Sequence, residues 1–146
     1  MRLDDAAATH AFGAHLARVA RPGDVITLSG PLGAGKTSIA RGVLTALGLA
    51  GEAPSPTFAI VQPYALPEVR MPVLHIDLYR LESHRELGEL GLDEARAESL
   101  LLIEWPERAA GEWPDALALT LSITPDGART LTAEVPAAWR ARWRRT

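Results

Sequence analysis

The sequence predicts an α/β fold built on a mixed, mostly parallel sheet, and three observations carry that prediction. A short β-branched run, Asp24 to Leu28, leads into a glycine-rich stretch and then into a helical pattern from Lys36 to Leu47. Leu100 to Ile103 is apolar without interruption, as in a parallel strand covered on both faces. Two alternating stretches, 117–124 and 129–135, flank Pro125-Asp126-Gly127 and read as a late hairpin, which makes the sheet mixed. The 146 residues suit one domain, 1–146.

The remaining elements follow in order. Ala8, Phe12, Leu16 and Val19 recur at helical spacing, so Asp5 to about Ala20 is expected to be a helix that Pro22-Gly23 ends. Gly48 closes the second helix. Pro54 and Pro56 make residues 49–57 an irregular connector. Phe58 to Tyr64 reads as a strand that Pro63 pushes toward a sheet edge, and Val73 to Leu78 as another strand. Residues 82–98 carry Leu87, Leu90 and Leu92 and are expected to form short helices broken at Gly88 and Gly91. After Pro136 comes a C-terminal helix, 136–146, rich in arginine and tryptophan, with Trp139 and Trp143 one turn apart on the face expected to pack and its arginines expected in solvent.

Composition excludes several classes of function. The formal charge of -3 gives no global basic field for nucleic acid, although the tail from Trp139 to Arg145 is locally basic and could meet tRNA or an acidic surface. Without cysteine there is no disulfide scaffold, thiolate metal site or thiol nucleophile. No apolar run reaches the roughly 18 residues of a membrane span, and the acidic N-terminus does not read as a signal peptide. A cytoplasmic protein with no membrane contact is expected. Without asparagine, the Asn-Lys-x-Asp element that reads guanine cannot exist.

The chemistry concentrates at residues 30–37. Gly30-Pro31-Leu32-Gly33-Ala34-Gly35-Lys36-Thr37 matches the phosphate-loop (Walker A) pattern G-x-x-x-x-G-K-[ST], with a strand before it and a helix after it. Glycines let backbone N–H groups close around phosphate oxygens, and the helix start aims its positive end at the same oxygens. Lys36 is the single lysine among 15 basic residues, and it fills the slot that needs a compact point charge. Thr37 has the hydroxyl expected to bind Mg²⁺. The pattern predicts a P-loop NTPase-like three-layer sandwich that binds ATP or ADP through Gly30, Leu32, Gly33, Ala34, Gly35, Lys36, Thr37 and Ser38. A carboxylate at the end of a neighbouring strand should complete the site. Glu104 follows the more buried-looking strand and is the stronger metal candidate; Asp77 could orient the attacking water or hold a metal-bound water.

The segments Gly33-Ala34-Gly35-Lys36-Thr37, Ser55-Pro56-Thr57-Phe58, His75-Ile76-Asp77-Leu78-Tyr79-Arg80-Leu81 and Ile103-Glu104-Trp105-Pro106 occur in that order. Together they resemble the TsaE (YjeE) family, the bacterial ATPase of tRNA threonylcarbamoyladenosine biosynthesis. The resemblance covers about residues 9–130. It implies ATP binding and slow hydrolysis with Mg²⁺ on Thr37 and Glu104; the residues themselves make Lys36, Asp77 and Glu104 the expected catalytic set. It implies a switch segment near the γ-phosphate with the hydroxyls of Ser55 and Thr57. It also implies TsaB and TsaD as partners, with tRNA met through their complex. Thr9 either caps a helix turn or touches the base. Pro31 and Ser38 depart from the Asp and Thr frequent in the family, and Pro31 removes one backbone donor at the outer edge of the loop.

Other features have plainer readings. Arg129 is expected as a solvated strand residue or a nucleotide contact. Tyr79 and Trp105 are core or surface aromatics, or a partner-facing surface beside the site. His10, His15, His75 and His84 lack metal-ligand spacing and read as ordinary histidines. Against the partner-coupled ATPase stand a small-molecule or nucleotide kinase, with Arg80, Arg85 or Arg96 on a lid, and a nucleotide-dependent binding module with negligible turnover.

Overall fold

The computed structural model describes residues 1–51, 53 and 60–143. In chain order the elements are β1 (Arg2–Leu3), α1 (Ala6–Val19), β2 (Val25–Ser29), α2 (Lys36–Ala46), β3 (Val61–Tyr64), β4 (Val73–Asp77), α3 (His84–Glu89), α4 (Leu92–Arg96), β5 (Leu100–Glu104), a 3₁₀ turn (Pro106–Ala109), β6 (Leu117–Ile123), β7 (Arg129–Glu134) and α5 (Ala137–Trp143). Ser55 and Thr57, the expected switch hydroxyls, lie outside the described residues.

Local chemistry sets the boundaries. Asp5 caps α1 by accepting the Ala8 amide at 2.8 Å. Gly35 begins α2 without a side-chain cap, which leaves the first-turn amides for another acceptor. The hairpin turn closes through Thr124 N–H to Ala128 O at 2.9 Å and Gly127 N–H to Thr124 O at 3.0 Å. Gly88 does not break a helix as expected. It lies inside α3, and α3 and α4 part at Gly91 alone, whose left-handed φ of 67° starts the second helix on a new axis.

The seven strands run in the order β1-β7-β6-β2-β5-β4-β3. The four middle strands are parallel, and β1, β7 and β3 pair antiparallel at the two sides. Pro63 sits on the edge strand β3, where its missing N–H interrupts no ladder. Strand alternation divides the interior in two. Ile26, Leu28, Leu100, Leu102, Leu117 and Leu119 pack with Phe12 and Leu16 of α1 and Ile39 and Val43 of α2. Val25, Ile76, Leu101 and Ile103 pack with Leu87, Leu92, Ala109 and Trp113 on the other face. The result is three layers with α1 and α2 on one side of the sheet.

These two helices cross closely. A Cβ on Gly13 would lie 2.2 Å from Ile39 O, and one on Gly42 would lie 2.0 Å from His10 O. At the other end of the chain, Trp139 is buried and Trp143 meets Phe12 edge-on at 6.2 Å between ring centroids. Arg142 corrects the expectation of solvated tail arginines, because it is buried and bidentate to Asp24 at 2.6 and 3.0 Å. Among the described residues no helix is long and apolar enough to cross a membrane.

Candidate functional site

Three strand ends converge on the site. β2 delivers the loop at 30–35, β4 ends on Asp77 and β5 ends on Glu104; the last two are paired neighbours in the parallel ladder, and Leu28 pairs with Glu104 on the other side. The carboxyl edge of such a sheet is where α/β folds place ligands.

The loop itself is a tight structure. Ala34 N–H donates to Pro31 O at 3.1 Å, so the ring of Pro31 sits at the outer side of a turn and the amides that follow it are kept. Gly35 adopts φ 104°, and a Cβ there would stand 3.0 Å from Thr9 Cγ2. Both the backbone shape and the contact with α1 therefore require glycine. Gly30 is equally confined, since a Cβ would fall 2.6 Å from Leu121 O.

Around the loop stands a hollow of about 240 Å³ lined by Leu32 through Ser38 with Asp77, Glu104 and Trp105. Lys36 is buried; its Nζ donates to Gly30 O and lies 3.5 Å from the centroid of the Trp105 ring. Trp105 reaches that position because its backbone turns left-handed, φ 59°, directly after β5. A non-glycine residue held there is strain of the kind that gathers at functional sites. Tyr79 lies beyond Trp105 with ring centroids 5.0 Å apart and planes tilted by 52°, and Arg108 lies over its ring, so this aromatic pair is a half-open continuation of the site.

Thr37 Oγ1 donates to Glu104 at 3.0 and 3.1 Å, to its two oxygens. Glu104 is only 3% exposed and its Oε2 also meets His75 Nε2 at 2.6 Å. Asp77 Oδ1 accepts the Tyr79 amide at 2.9 Å. Burial pushes the Asp77 carboxyl up from its ordinary pKa; Glu104 adds to this and the Tyr79 amide opposes it. Burial pushes the Lys36 ammonium down, and Glu104, Glu107 and Asp77 push it back up. A hydroxyl facing a buried carboxylate is a pair of hard oxygen ligands, which fits Mg²⁺.

Thr9 and Arg129 stand on the other side of the loop. They line a smaller hollow of about 100 Å³ with Asp5, Ala6, Gly33, Gly35 and Ser38. Arg129 is not freely solvated: it donates to Gly33 O at 2.9 Å and Ala34 O at 3.1 Å and braces the loop from β7. Thr9 is buried, with its hydroxyl on Asp5 O at 3.0 Å. Of the arginines that a kinase lid would need, Arg96 is tied to Gly23 O and Asp115 at the opposite edge of the sheet, and Arg85 pairs with Glu89 of its own helix.

Two features of this site are absent from the sequence reading. His75 is no ordinary histidine, and Trp105 meets the phosphate-loop lysine. His75 has a signal in the sequence, since it stands two residues before Asp77 on one strand and so shares its face. The Trp105 contact depends on a backbone turn that no residue pattern announces.

Fold and loop together define a protein of the P-loop NTPase-like class. The model of the family described as threonylcarbamoyl adenosine biosynthesis protein TsaE matches residues 3–131, and the chain belongs to that family. Curated relatives named tRNA threonylcarbamoyladenosine biosynthesis protein TsaE include one from Streptomyces coelicolor, 35% identical over 85% of this chain and 95% of that protein. One from Bacillus subtilis is 36% identical over 85% of this chain and 77% of its own length. One from Mycobacterium leprae is 40% identical, and the match spans 66% of this chain and 65% of that one. The crystal structure of Bacillus subtilis YdiB superposes with a TM-score of 0.80 at 28% identity, covering 97% of this chain and 88% of that one.

Proposed function

We propose that this protein is a Mg²⁺-dependent ATPase of low intrinsic activity that serves tRNA threonylcarbamoyladenosine formation in the cytoplasm together with TsaB and TsaD. The observation that carries the reading is the Thr37 hydroxyl at 3.0 and 3.1 Å from the buried Glu104 carboxylate, at the mouth of a loop that also presents Lys36. Family membership supports the pathway.

In this reading the amides of Gly33 to Thr37 hold the phosphates, and Lys36 leaves Gly30 O and the Trp105 face to meet them. Phosphate charge then compensates the buried ammonium in place of a carbonyl dipole and a ring face. Thr37 and Glu104 would hold Mg²⁺, which supplies neutralisation of charge on the transferring phosphoryl group. Among the described residues no three His, Asp or Glu side chains could hold a metal alone. The other ligands would then be phosphate oxygens and water, the usual coordination of Mg²⁺ beside nucleotides. Asp77, half-buried beside Glu104 and raised in pKa, would orient the attacking water. Thr9 and Arg129 border the hollow into which the nucleoside would extend. Ser55 and Thr57 remain proposed as the switch hydroxyls.

The test separates binding from turnover. Lys36→Ala is expected to weaken ATP and ADP binding by about 1.5–3 kcal/mol, the worth of a charge-assisted contact. Glu104→Gln is expected to keep ADP binding without metal and to lose Mg²⁺-dependent phosphate release in the presence of TsaB, TsaD and tRNA. Unchanged affinity of the first variant, or unchanged stimulated release by the second, defeats the assignment.

A further inference from the structure

His75 is completely buried inside β4, yet its imidazole is not fully satisfied: Nε2 lies 2.6 Å from Glu104 Oε2, and Nδ1 has no partner among the described residues. A carboxylate oxygen can only accept, so the ring proton stands on Nε2 and donates. An unsatisfied nitrogen in a packed core costs stability, and an apolar residue of similar size would fill the place without that cost. What the ring does for Glu104 offsets it.

The geometry of the strands shows what that is. His75 and Asp77 alternate on one face of β4, and Asp77 pairs with Glu104 on β5, so His75 stands one pleat deeper and meets the carboxylate from the core side. Thr37 meets it from the side of the loop. A glutamate has three soft side-chain torsions, whereas Mg²⁺ accepts only a narrow octahedral geometry. With Oε2 held by His75, Oε1 is the oxygen left to turn outward when Thr37 moves its hydroxyl onto the metal.

We infer that His75 is a positioning residue that fixes the Glu104 carboxylate through Oε2, so that Oε1 faces the magnesium ion of the bound nucleotide. This rests on the ATPase reading above, and the experiment keeps the two apart.

Three variants of the full chain are titrated with ADP, first in EDTA and then over a range of Mg²⁺, and the metal step is repeated with Mn²⁺ by electron paramagnetic resonance. His75→Leu removes the donor and keeps an apolar fill. His75→Gln restores an N–H near the reach of Nε2. His75→Asn places its donor one bond too short. Outer-shell partners of metal ligands are worth about 10–100-fold in metal affinity. The Mg²⁺ midpoint should therefore rise about tenfold for Leu and Asn and return to within about threefold of wild type for Gln. Affinity in EDTA should stay within about twofold throughout, and the Mn²⁺ spectrum should change for Leu and Asn only.

A folded His75→Leu protein with the wild-type midpoint overturns the inference, as does a Gln variant no better than Leu. If Leu fails to fold, the Gln and Asn pair decides by the same criterion. A wild-type protein with no Mg²⁺-dependent nucleotide binding overturns the ATPase reading and this inference together. A normal wild-type response with indifferent variants overturns this inference alone.

Discussion

Lys36 and Asp77 are charged groups that the resting site treats badly. Burial lowers the pKa of the first and raises that of the second, so each is driven toward its neutral form; the carboxylates around Lys36 all pull it back toward its charged form, while the neighbours of Asp77 pull both ways. A carboxyl raised in the folded state contributes stability that is full below its unfolded pKa and is lost as pH rises through the folded value. At neutral pH wild-type Asp77 thus carries the cost of a partly buried charge. Asn keeps the oxygen that accepts the Tyr79 amide and carries no charge. Asp77→Asn is expected to melt higher than wild type at pH 7, with the gap closing as pH falls toward the ordinary carboxylate value of about 3.9. In the same protein the proposed turnover should fall. Melting curves across pH check it, and a gap independent of pH would remove the ionisation of Asp77 as its cause. The importance of Lys36 is legible in the sequence because arginine fills every other basic position. That of His75 is legible only once the period of a strand is laid over His75-Ile76-Asp77.

Elements were legible where many residues share one pattern. α1, α2, the apolar β5 and the hairpin of β6 and β7 are all expected from periodicity and turn chemistry, and all are present. β1 is missed because two residues have no period. Its strand exists through tertiary pairing, with Leu131 N–H donating to Met1 O at 2.7 Å across the edge of β7. The 3₁₀ turn after Trp105 is missed for the same reason. α5 is expected as a helix, yet what fastens it is not its composition. Arg142 joins Asp24 bidentately, donates to Val19 O at 2.9 Å and lies over the Trp139 ring at 4.2 Å. The pair is largely buried, so the two removals are unequal in effect. Arg142→Ala leaves the Asp24 carboxylate, still largely shielded, with only the Arg21 amide at 2.6 Å and should cost about 1.5–3 kcal/mol, whereas replacing both partners with apolar residues of similar volume (Asp24→Leu with Arg142→Met) should recover most of that. Denaturant titration of the three proteins checks it. A loss below about 1 kcal/mol for the single variant would give this pair the small worth of a surface ion pair.

At the scale of the whole molecule, the site is assembled from segments far apart in sequence that the sheet and the helices packed on it bring together. β2 aims the loop, β4 and β5 bring Asp77 and Glu104 level, β7 sends Arg129 back to the loop carbonyls, and α1 sets Thr9 against Gly35. A ligand that binds this assembly, and not the unfolded chain, must stabilise the whole fold. The linkage is RT ln(1 + [L]/Kd), about 2.7 kcal/mol at a hundred times Kd. ADP at that excess should raise the melting temperature of wild type by several degrees. Lys36→Ala should start from a fold at least as stable and gain little, because its loss lies in the affinity. Arg142→Ala should start much lower and gain nearly as much as wild type, because Asp24 and α5 lie at the start of β2, the opposite end of that strand from the loop. Scanning calorimetry of the three proteins with and without ADP separates damage to the fold from damage to the site. A wild-type protein indifferent to ADP would sever the loop from nucleotide binding. An Arg142→Ala protein that folds but gains nothing would mean that the C-terminal helix, through β2, holds the phosphate loop in its binding shape.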